Sequence, residues 1–445
     1  MLDYPVACIP GRYGHSTSGH FTSIPIISPK SPGGFGDQMA ALNVAKELKA
    51  NFPDKEIGLY FSHAASYQKF QALFPNFDPS KHDNYVDNVF VRLRDTSEVR
   101  EFVKGQKVAI YCPVAYAQDC THEGFLMGAE INVYLEEYDI RGCPRLPHFM
   151  RENVLYKDDS SAAHLFLSTG FDPEGIGIHI ASGSPQAVNR SKRTVLEDAG
   201  LEALIREVPD ILESDWGVAY YHNATSFRMD FALPKIGDSS GEATEFSYLR
   251  ELLQFLRRRP HSRRPVVLFD CSDPYAYSLD GENYQRVFTN EPFTDLFLQE
   301  GRIGRVEAGR GARHTTPAPV RILHLGHLRN DAFKALLTVT DLPVLITGDS
   351  SLADALSADA LFLYDDCDWK SATQRNVFSF AQRVLRFTDV RNILAIYDNT
   401  ISRFGSDALF DDPAVRASFR SLNQAIREKA DLHRNLAEII RGLTI

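Results

Sequence analysis

The sequence predicts an α/β protein with two Rossmann-like halves in succession. Its 445 residues suit two domains of about 200 residues each better than one. Strand-like apolar runs alternate with segments of helical periodicity, and this alternation starts again near residue 214. In each half a glycine-containing loop joins a strand to a helix. We therefore predict a first domain over residues 1–212, a second over 213–412, and C-terminal helices over 413–445 that pack back across the domains.

The first half opens with strand, glycine loop, helix and strand, which is a βαβ unit. The first strand is predicted at Ile24–Ile27, the loop is Gly33-Gly34-Phe35-Gly36-Asp37, and the second strand is predicted at Ile57–Phe61. Apolar residues at helical spacing predict the helix between them. Val108–Cys112 and Gly175–Ile180 are predicted to be later strands.

The second half repeats this alternation. Gly/Arg/Pro content predicts a loop over Arg302–Pro319. The strands are predicted at Trp216–Tyr221, Val266–Phe269, Ile322–Leu325, Val344–Ile346 and Leu361–Tyr364, and the helices at Ser247–Leu256, Asp331–Leu337, Leu352–Leu356 and, at the chain end, Pro413–Leu443.

Composition narrows the function. The formal net charge is -10, which disfavours general binding to nucleic acid or anionic membranes. No apolar run approaches the length of a membrane span, and the N-terminus lacks a secretory signal. The six cysteines show neither C-x-x-C pairs nor zinc spacing, so we expect scattered reduced thiols. We expect a cytoplasmic protein, with an effector secreted into another cell left open.

The first glycine loop does not fit the NAD fingerprint. Met39 stands where its third glycine would fall, and Ser62 stands where an acidic residue should follow the second strand. A plain βα turn is the simplest alternative. It leaves Asp37 unexplained, because that acid lies in the first helical turn at the carboxyl end of a strand, where open α/β sheets bind ligands.

The second loop, Thr347-Gly348-Asp349-Ser350-Ser351, follows a strand and begins a helix. Small hydroxyls and backbone N–H groups at a helix start form an anion site, for which pyrophosphate is a natural ligand. The alternative is a helix N-cap at Ser350 or Ser351, with Asp354 completing a box-like pattern. The anion site and the serine N-cap are compatible interpretations of the same loop.

These stretches resemble known glycosyltransferases. The first loop, its helix and the turn Phe52-Pro53-Asp54 resemble the opening of heptosyltransferase-like GT-B enzymes, and Phe35-Gly36-Asp37 is similar to the Phe-Gly-Asp of protein-arginine rhamnosyltransferases. The stretch His324–Leu363 resembles the donor-binding region of those enzymes and of lipid-linked GlcNAc transferases. Thr347 stands where the rhamnosyltransferases carry an arginine, so the sugar is left open.

The resemblance implies a GT-B fold, in which two Rossmann-like domains face each other across a cleft. It also implies an inverting glycosyltransferase that uses a nucleotide-sugar donor and needs neither a metal nor another cofactor. Asp37 would be the catalytic base, and the acceptor would be a protein side chain or a glycan. A non-catalytic GT-B-like binding protein and a nucleotide-sugar epimerase are the alternatives. The donor residues expected are Gly34, Gly36, Tyr221, His222, Asn223, His327, Gly348, Asp349, Ser350 and Ser351. For Tyr221 and His222 a core position is the alternative. His122 and Glu123, in a loop of the first half, are the candidate acceptor residues, and a surface pair is the alternative.

Overall fold

The chain divides into two compact units. The first unit comprises residues 1–182, 369–384 and 424–445, and the second comprises 183–368 and 385–423. The domain boundaries predicted from the sequence, after residues 212 and 412, stay predictions. The computed structural model describes residues 22–29, 36–74, 77–78, 84–94, 96–114, 128–138, 155–157, 162–173, 175–180, 190–208, 210–220, 265–271, 293–299, 302–308, 320–325, 328–364, 371–397 and 412–444.

The first unit is built on an eight-stranded sheet with the strand order β3-β4-β2-β1-β5-β6-β8-β7. Its six inner strands are parallel, and the edge strands β3 and β7 are antiparallel to their neighbours. Numbered along the chain, the inner strands follow the Rossmann order 3-2-1-4-5-6. The strands are β1 (Ser23–Ser28), β2 (Glu56–Phe61), β3 (Asn84–Val86), β4 (Val89–Leu93), β5 (Val108–Val114), β6 (Ile131–Tyr138), β7 (Leu155–Lys157) and β8 (Ala163–Thr169).

The second unit is built on a seven-stranded sheet with the order β12-β11-β13-β10-β9-β14-β15. All its strand pairs are parallel except β11 with β12. The five strands from β13 to β15 follow the Rossmann order 3-2-1-4-5, so the two predicted Rossmann-like halves are confirmed. The strands are β9 (Asp215–Ala219), β10 (Val266–Asp270), β11 (Phe293–Gln299), β12 (Arg302–Ala308), β13 (Val320–His324), β14 (Val344–Ile346) and β15 (Phe362–Tyr364).

Helices follow or flank these strands in both units. None of those in the described ranges is long and apolar enough to cross a membrane. They are α1 (Gly36–Asn51), α2 (Ala64–Leu73), α3 (Thr96–Val103), α4 (Lys192–Asp198), α5 (Glu202–Glu207), α6 (Asn330–Leu337), α7 (Asp349–Ser357), α8 (Ser371–Val384), α9 (Phe387–Tyr397), α10 (Pro413–Lys429) and α11 (Leu432–Thr444).

The last helix, α11, completes the core of the first unit. Leu436 and Ile440 are buried in one cluster with Ile24 and Ile26 of β1 and with Leu42 of α1. The segment 176–180 holds the start of this helix by backbone hydrogen bonds: the Ile178 N–H donates to the Ala430 carbonyl at 2.9 Å, and the Leu432 N–H donates to the Ile178 carbonyl at 3.0 Å.

Two sequence predictions of local structure were wrong. Gly175–Ile180 is not a strand of the sheet but makes isolated bridges to Gly170 and Asp431, because its backbone groups bond to the start of α11. The first part of the predicted loop Arg302–Pro319 is strand β12, which pairs along its length with β11. Edge strands tolerate charged residues, so its arginines do not prevent pairing. The predicted helix Ser247–Leu256 lies outside the described residues.

Candidate functional site

The strand order of the second unit reverses direction between β9 and β14. The chain builds from β9 toward β10 and β13 on one side and then crosses to β14 on the other. In open α/β sheets ligands bind outside the carboxyl ends of the strands at such a switch in strand order. The Tyr220 N–H, just after β9, donates to the Leu345 carbonyl of β14 at 2.8 Å. The loop that leaves β14 therefore starts at this switch point.

That loop opens helix α7 through a glycine. Gly348 is the N-cap residue and has φ 81° and ψ 159°. A side chain is rarely tolerated at this φ, yet a Cβ at Gly348 would meet no atom within 4 Å. The backbone shape, rather than crowding, requires the glycine, and there is open space immediately before the helix start. The positive end of the α7 dipole lies there, so the position suits an anion.

The hydroxyl of Ser351 points back along the chain. This buried side chain donates to the carbonyl oxygens of Thr347 and Gly348, the second at 3.1 Å. The N-cap is Gly348, with no side-chain cap hydrogen bond, so the alternative that Ser350 or Ser351 is the N-cap was wrong. Ser350 is in the first turn of α7 and is partly exposed. The Ser351 hydroxyl is therefore engaged with the backbone of the loop.

Asp354, one turn further along α7, forms an ion pair with a neighbouring helix. Its carboxylate lies 3.2 Å from the ammonium group of Lys334 on α6, and its side chain is 7% exposed whereas that of Lys334 is 35% exposed. Burial raises the pKa of Asp354 to about 6, against the opposing effect of Lys334. The carboxylate therefore joins two helices and does not complete a capping box at the start of α7.

Sequence reasoning missed two polar residues at the same edge of the sheet. Asp270 ends β10 and His324 ends β13, and the two residues are register partners. His324 Nδ1 lies 3.5 Å from Asp270 Oδ2. Both side chains are buried. The next residue, Cys271, is also buried, and burial together with the nearby Asp270 raises the pKa of its thiol well above the usual value, which makes a reactive thiolate unfavourable.

The first unit has its own switch point between β1 and β5. Strand β1 pairs with β2 on one side and with β5 on the other, and helix α1 follows β1. Gly36 is the first residue of α1 and Asp37 the second. The backbone of Asp37 is thus in the first turn of α1, as the sequence predicted. Its side chain lies outside the described residues.

The structure describes little or nothing of the remaining predicted site residues. For Asp349 the structure gives the backbone, which starts α7, but not the side chain. Among the described residues, no three His, Cys, Asp or Glu side chains gather as a metal site. The predicted residues that lie outside the described ranges are Gly34, His122, Glu123, Tyr221, His222, Asn223 and His327.

Comparisons with known proteins add a set of weak structural similarities. No family model matches the chain, and no curated protein matches it. Similar solved structures include the N-terminal domain of Candida albicans trehalose-6-phosphate phosphatase, with 12% identity, a TM-score of 0.47 and coverage of 97% of this chain and 98% of that one. A glycosyltransferase from Rickettsia africae has 10% identity, a TM-score of 0.45 and coverage of 96% and 97%. The glycosyltransferase VinC in complex with dTDP has 10% identity, a TM-score of 0.41 and coverage of 95% and 99%. These TM-scores are low, so the fold rests on the strand order and register above.

Proposed function

We propose that the chain is a GT-B-type, inverting glycosyltransferase that takes a sugar from a nucleotide-sugar donor without a metal ion. The acceptor is a protein side chain or a glycan. The observation that carries the proposal is the glycine-capped start of α7 at the switch point of the second sheet. The first unit supports it, since the acidic residue Asp37 lies in the first turn of α1, the helix that follows β1.

The diphosphate of the donor binds, in this proposal, at the N-terminus of α7. Gly348 leaves the approach open, and the helix dipole and the first backbone N–H groups supply positive potential. These groups stabilise the charge that develops on the diphosphate as it leaves. Because the helix takes this role, the proposal needs no divalent cation.

Asp37 is the proposed general base. The acceptor O–H or N–H gives its proton to the Asp37 carboxylate, and the acceptor atom forms a bond to the anomeric carbon of the sugar. The bond from that carbon to the diphosphate oxygen breaks at the same centre, which inverts its configuration. The N-terminal position of Asp37 in α1 favours the ionised carboxylate that this step requires.

A donor panel tests the proposal. UDP, GDP, ADP and dTDP are added to the protein in EDTA, and thermal unfolding is followed. We expect at least one of them to raise the melting temperature, because a ligand that binds the native state stabilises it by mass action. The matching nucleotide-sugars are then assayed for release of nucleoside diphosphate with candidate acceptors.

Two outcomes would contradict the proposal in different ways. Binding that appears only after Mg²⁺ or Mn²⁺ is added would overturn the role of the α7 dipole. Metal-free binding without sugar release for any donor and acceptor would favour a non-catalytic binding protein.

A further inference from the structure

Arg94 carries a half-buried guanidinium group that has no acidic partner. It is the first residue after β4, and its backbone N–H donates to the Phe61 carbonyl at 3.0 Å. Its Nε is buried without a hydrogen-bond partner, and its side chain forms no ion pair with any residue in the described ranges. Groups of this kind are normally paired, because a partial loss of hydration is unfavourable for a charge. An anionic ligand at the two terminal nitrogens would compensate for that loss.

The guanidinium of Arg94 lies against a row of aromatic rings. Its central carbon is 4.4 Å from the ring centroid of Phe102 and 5.5 Å from that of Tyr60. The Tyr60 ring contacts Phe102 and Phe90, with centroid distances of 4.8 and 6.1 Å, and Phe90 contacts Tyr85 at 5.6 Å. Tyr60 is buried, Phe90 and Phe102 are half-buried, and Tyr85 is 67% exposed. The row therefore runs from a positive charge to an exposed ring on the edge strand β3.

Gly58 provides the space that the Tyr60 ring occupies. It is the register partner of Phe90 on the neighbouring strand, and a Cβ on it would lie 2.7 Å from the Tyr60 ring and hydroxyl. The ring therefore lies over the glycine, where it contacts Phe90 and Phe102. Because this packing fixes the ring, it also fixes part of the surface on which the planar guanidinium of Arg94 stacks.

We propose that the first unit binds a small organic carboxylate with an aromatic or aliphatic body at this row of rings, which we name the Arg94 cluster. The cluster consists of Arg94, Phe102, Tyr60, Phe90 and Tyr85. The carboxylate accepts hydrogen bonds from the terminal nitrogens of Arg94, and the apolar body packs along the partly exposed rings toward Tyr85. None of the residues proposed for the donor, the acceptor or the general base belongs to the cluster, so this site goes beyond the proposed glycosyl transfer.

The local charge favours a carboxylate over a phosphate. Burial raises the pKa of Tyr60 to about 12, Glu56 raises it further, and Arg94 and Arg92 oppose the rise. These two arginines and one glutamate leave a single excess positive charge around the ring. A carboxylate neutralises that charge, whereas a phosphate monoester, which carries about −1.5 to −2 charges at pH 7, would exceed it. The planar guanidinium also matches a planar carboxylate, with which it forms two parallel hydrogen bonds.

The first test uses the unmodified protein, labelled with ¹⁵N. Benzoate, acetate, benzamide and phenyl phosphate are titrated in turn, and NMR follows the Nε–Hε signal of Arg94, which is assigned by its loss in Arg94→Lys. We expect benzoate to shift this signal saturably and to bind at least about tenfold more tightly than acetate, which has no ring to bury. Neutral benzamide should cause no saturable shift.

Three results of this titration would overturn the proposal. The absence of a saturable shift with benzoate would remove the site. Equal affinity for benzoate and acetate would remove the role of the rings. Tighter binding of phenyl phosphate than of benzoate would overturn the assignment of a carboxylate ligand.

The second test assigns the binding to the Arg94 cluster and follows the NMR signals of benzoate itself. Arg94→Gln should weaken benzoate binding at least about tenfold, as expected for loss of a charge-assisted pair. Gly58→Ala should also weaken it, because the new methyl group displaces the Tyr60 ring while the guanidinium remains. Lys104→Gln is the control: Lys104 directly follows α3 but is paired with Glu101 at 2.5 Å, so benzoate affinity should be unchanged.

Unchanged benzoate affinity in folded Arg94→Gln would overturn the assignment to Arg94. An equal loss of affinity in Lys104→Gln would show that benzoate responds to the general charge of this surface, which would also overturn it. The titration of the unmodified protein decides whether the site exists even where Gly58→Ala fails to fold.

Discussion

Gly177 and Ala430 approach so closely that their backbones leave no room for a side chain between them. A Cβ on Gly177 would lie 2.2 Å from the Ala430 carbonyl oxygen, and the φ of Gly177 is +104°. This approach lets the segment 176–180 and the start of α11 exchange backbone hydrogen bonds. The last helix of the chain is thereby fixed to the first unit.

Gly177→Ala should destabilise the first unit by about 2–4 kcal/mol, since it adds backbone strain and a steric clash that only backbone movement can relieve. Gly105→Ala is the control. Gly105 also has positive φ, at +86°, but a Cβ there meets no atom within 4 Å, so only the strain of about 1 kcal/mol should appear. Chemical denaturation of both variants measures the difference. Equal losses would contradict the steric account.

The His433 side chain should make the protein sensitive to mild acid. Burial lowers the pKa of His433 from 6.5 to about 3. The unfolded chain therefore takes up a proton near pH 6.5, whereas the folded chain resists it until about pH 3. The free energy of unfolding should fall as the pH drops through this window, by at most about 1.4 kcal/mol per pH unit for this group.

His433→Gln should flatten that pH dependence, measured by urea denaturation between pH 7.5 and 4.5. His63→Gln is the control, because His63 is the partly exposed N-cap residue of α2. The buried ring of His179, which contacts His433 edge to face, remains in both variants. A slope in His433→Gln equal to that of the unmodified protein would show that another group causes the acid sensitivity.

Asp354 should have the opposite effect from His433 on how the free energy of unfolding depends on pH. Burial raises the pKa of its carboxyl from 3.8 to about 6, so the folded chain holds this proton more tightly than the unfolded chain. The protonated Asp354 carboxyl therefore contributes fully to the free energy of unfolding below pH 3.8. This contribution is lost as the pH rises to about 6, and the loss is up to about 3 kcal/mol. Asp354→Asn should remove this loss, so its stability relative to the unmodified protein should increase from pH 4 to pH 7.

The same denaturation series on Asp331→Asn provides the control for Asp354. Asp331 lies on α6, as does Lys334, but its side chain is 71% exposed. We expect less than about 0.5 kcal/mol of change there at any pH. If the Asp354 and Asp331 variants behave alike, burial is not the cause of the Asp354 effect.

The two serines of α7 should separate ligand binding from folding. Ser350→Ala should weaken the affinity for the best nucleoside diphosphate by about 0.5–1.5 kcal/mol, as expected for one lost hydrogen bond. Ser351→Ala should mainly lower the melting temperature, because its buried hydroxyl already donates to Thr347 and Gly348. Calorimetric titration and thermal unfolding of both variants distinguish these effects. A larger affinity loss in Ser351→Ala would reverse the assignment.

Asp37→Asn should abolish most of the sugar transfer, with little effect on donor affinity or melting temperature. The change keeps the size of the side chain but removes the base, which typically slows a reaction about 10²–10⁴-fold. Donor affinity should persist, since the proposed diphosphate site is in the second unit. Turnover, donor affinity and melting temperature are measured on this one variant. Normal turnover with a lower melting temperature would make Asp37 only a helix-start acid, worth about 0.3–1 kcal/mol.

The parts of the fold that the sequence predicted are those with a local cause. Val344–Ile346 is a compact apolar run followed by Thr347 and then Gly348, and β14 has the same bounds. Strand β12 was missed because its pairing partner, β11, is what makes it a strand. The prediction of helix over Pro413–Leu443 was confirmed, apart from a break at Ala430 and Asp431 between α10 and α11. The burial of α11 in the first unit depends on contacts distant in the chain.

The candidate site also has one part that local sequence predicts and another that depends on which strands are adjacent. The glycine start of α7 follows from Gly348 and its neighbours, so local reasoning located it. The Asp270–His324 pair is formed by residues 54 positions apart that meet because β10 and β13 are adjacent in the sheet. No local pattern reveals that adjacency, since β11 and β12 lie between those strands along the chain. A sequence can therefore indicate a glycine-capped helix start while leaving undetermined which residues surround it.

The position of α11 in the core of the first unit has a consequence for synthesis on the ribosome. Domains often fold as they emerge, with the N-terminal one first. Here the sheet of the first unit appears early, but the apolar surface that Leu436 and Ile440 cover stays open until the second sheet and α11 have also been translated. Nascent chains should therefore depend on chaperones for longer than their early sheet suggests. A ribosome that terminates shortly before α11 would release a chain with both sheets present and an uncovered core, which is a substrate for proteolysis.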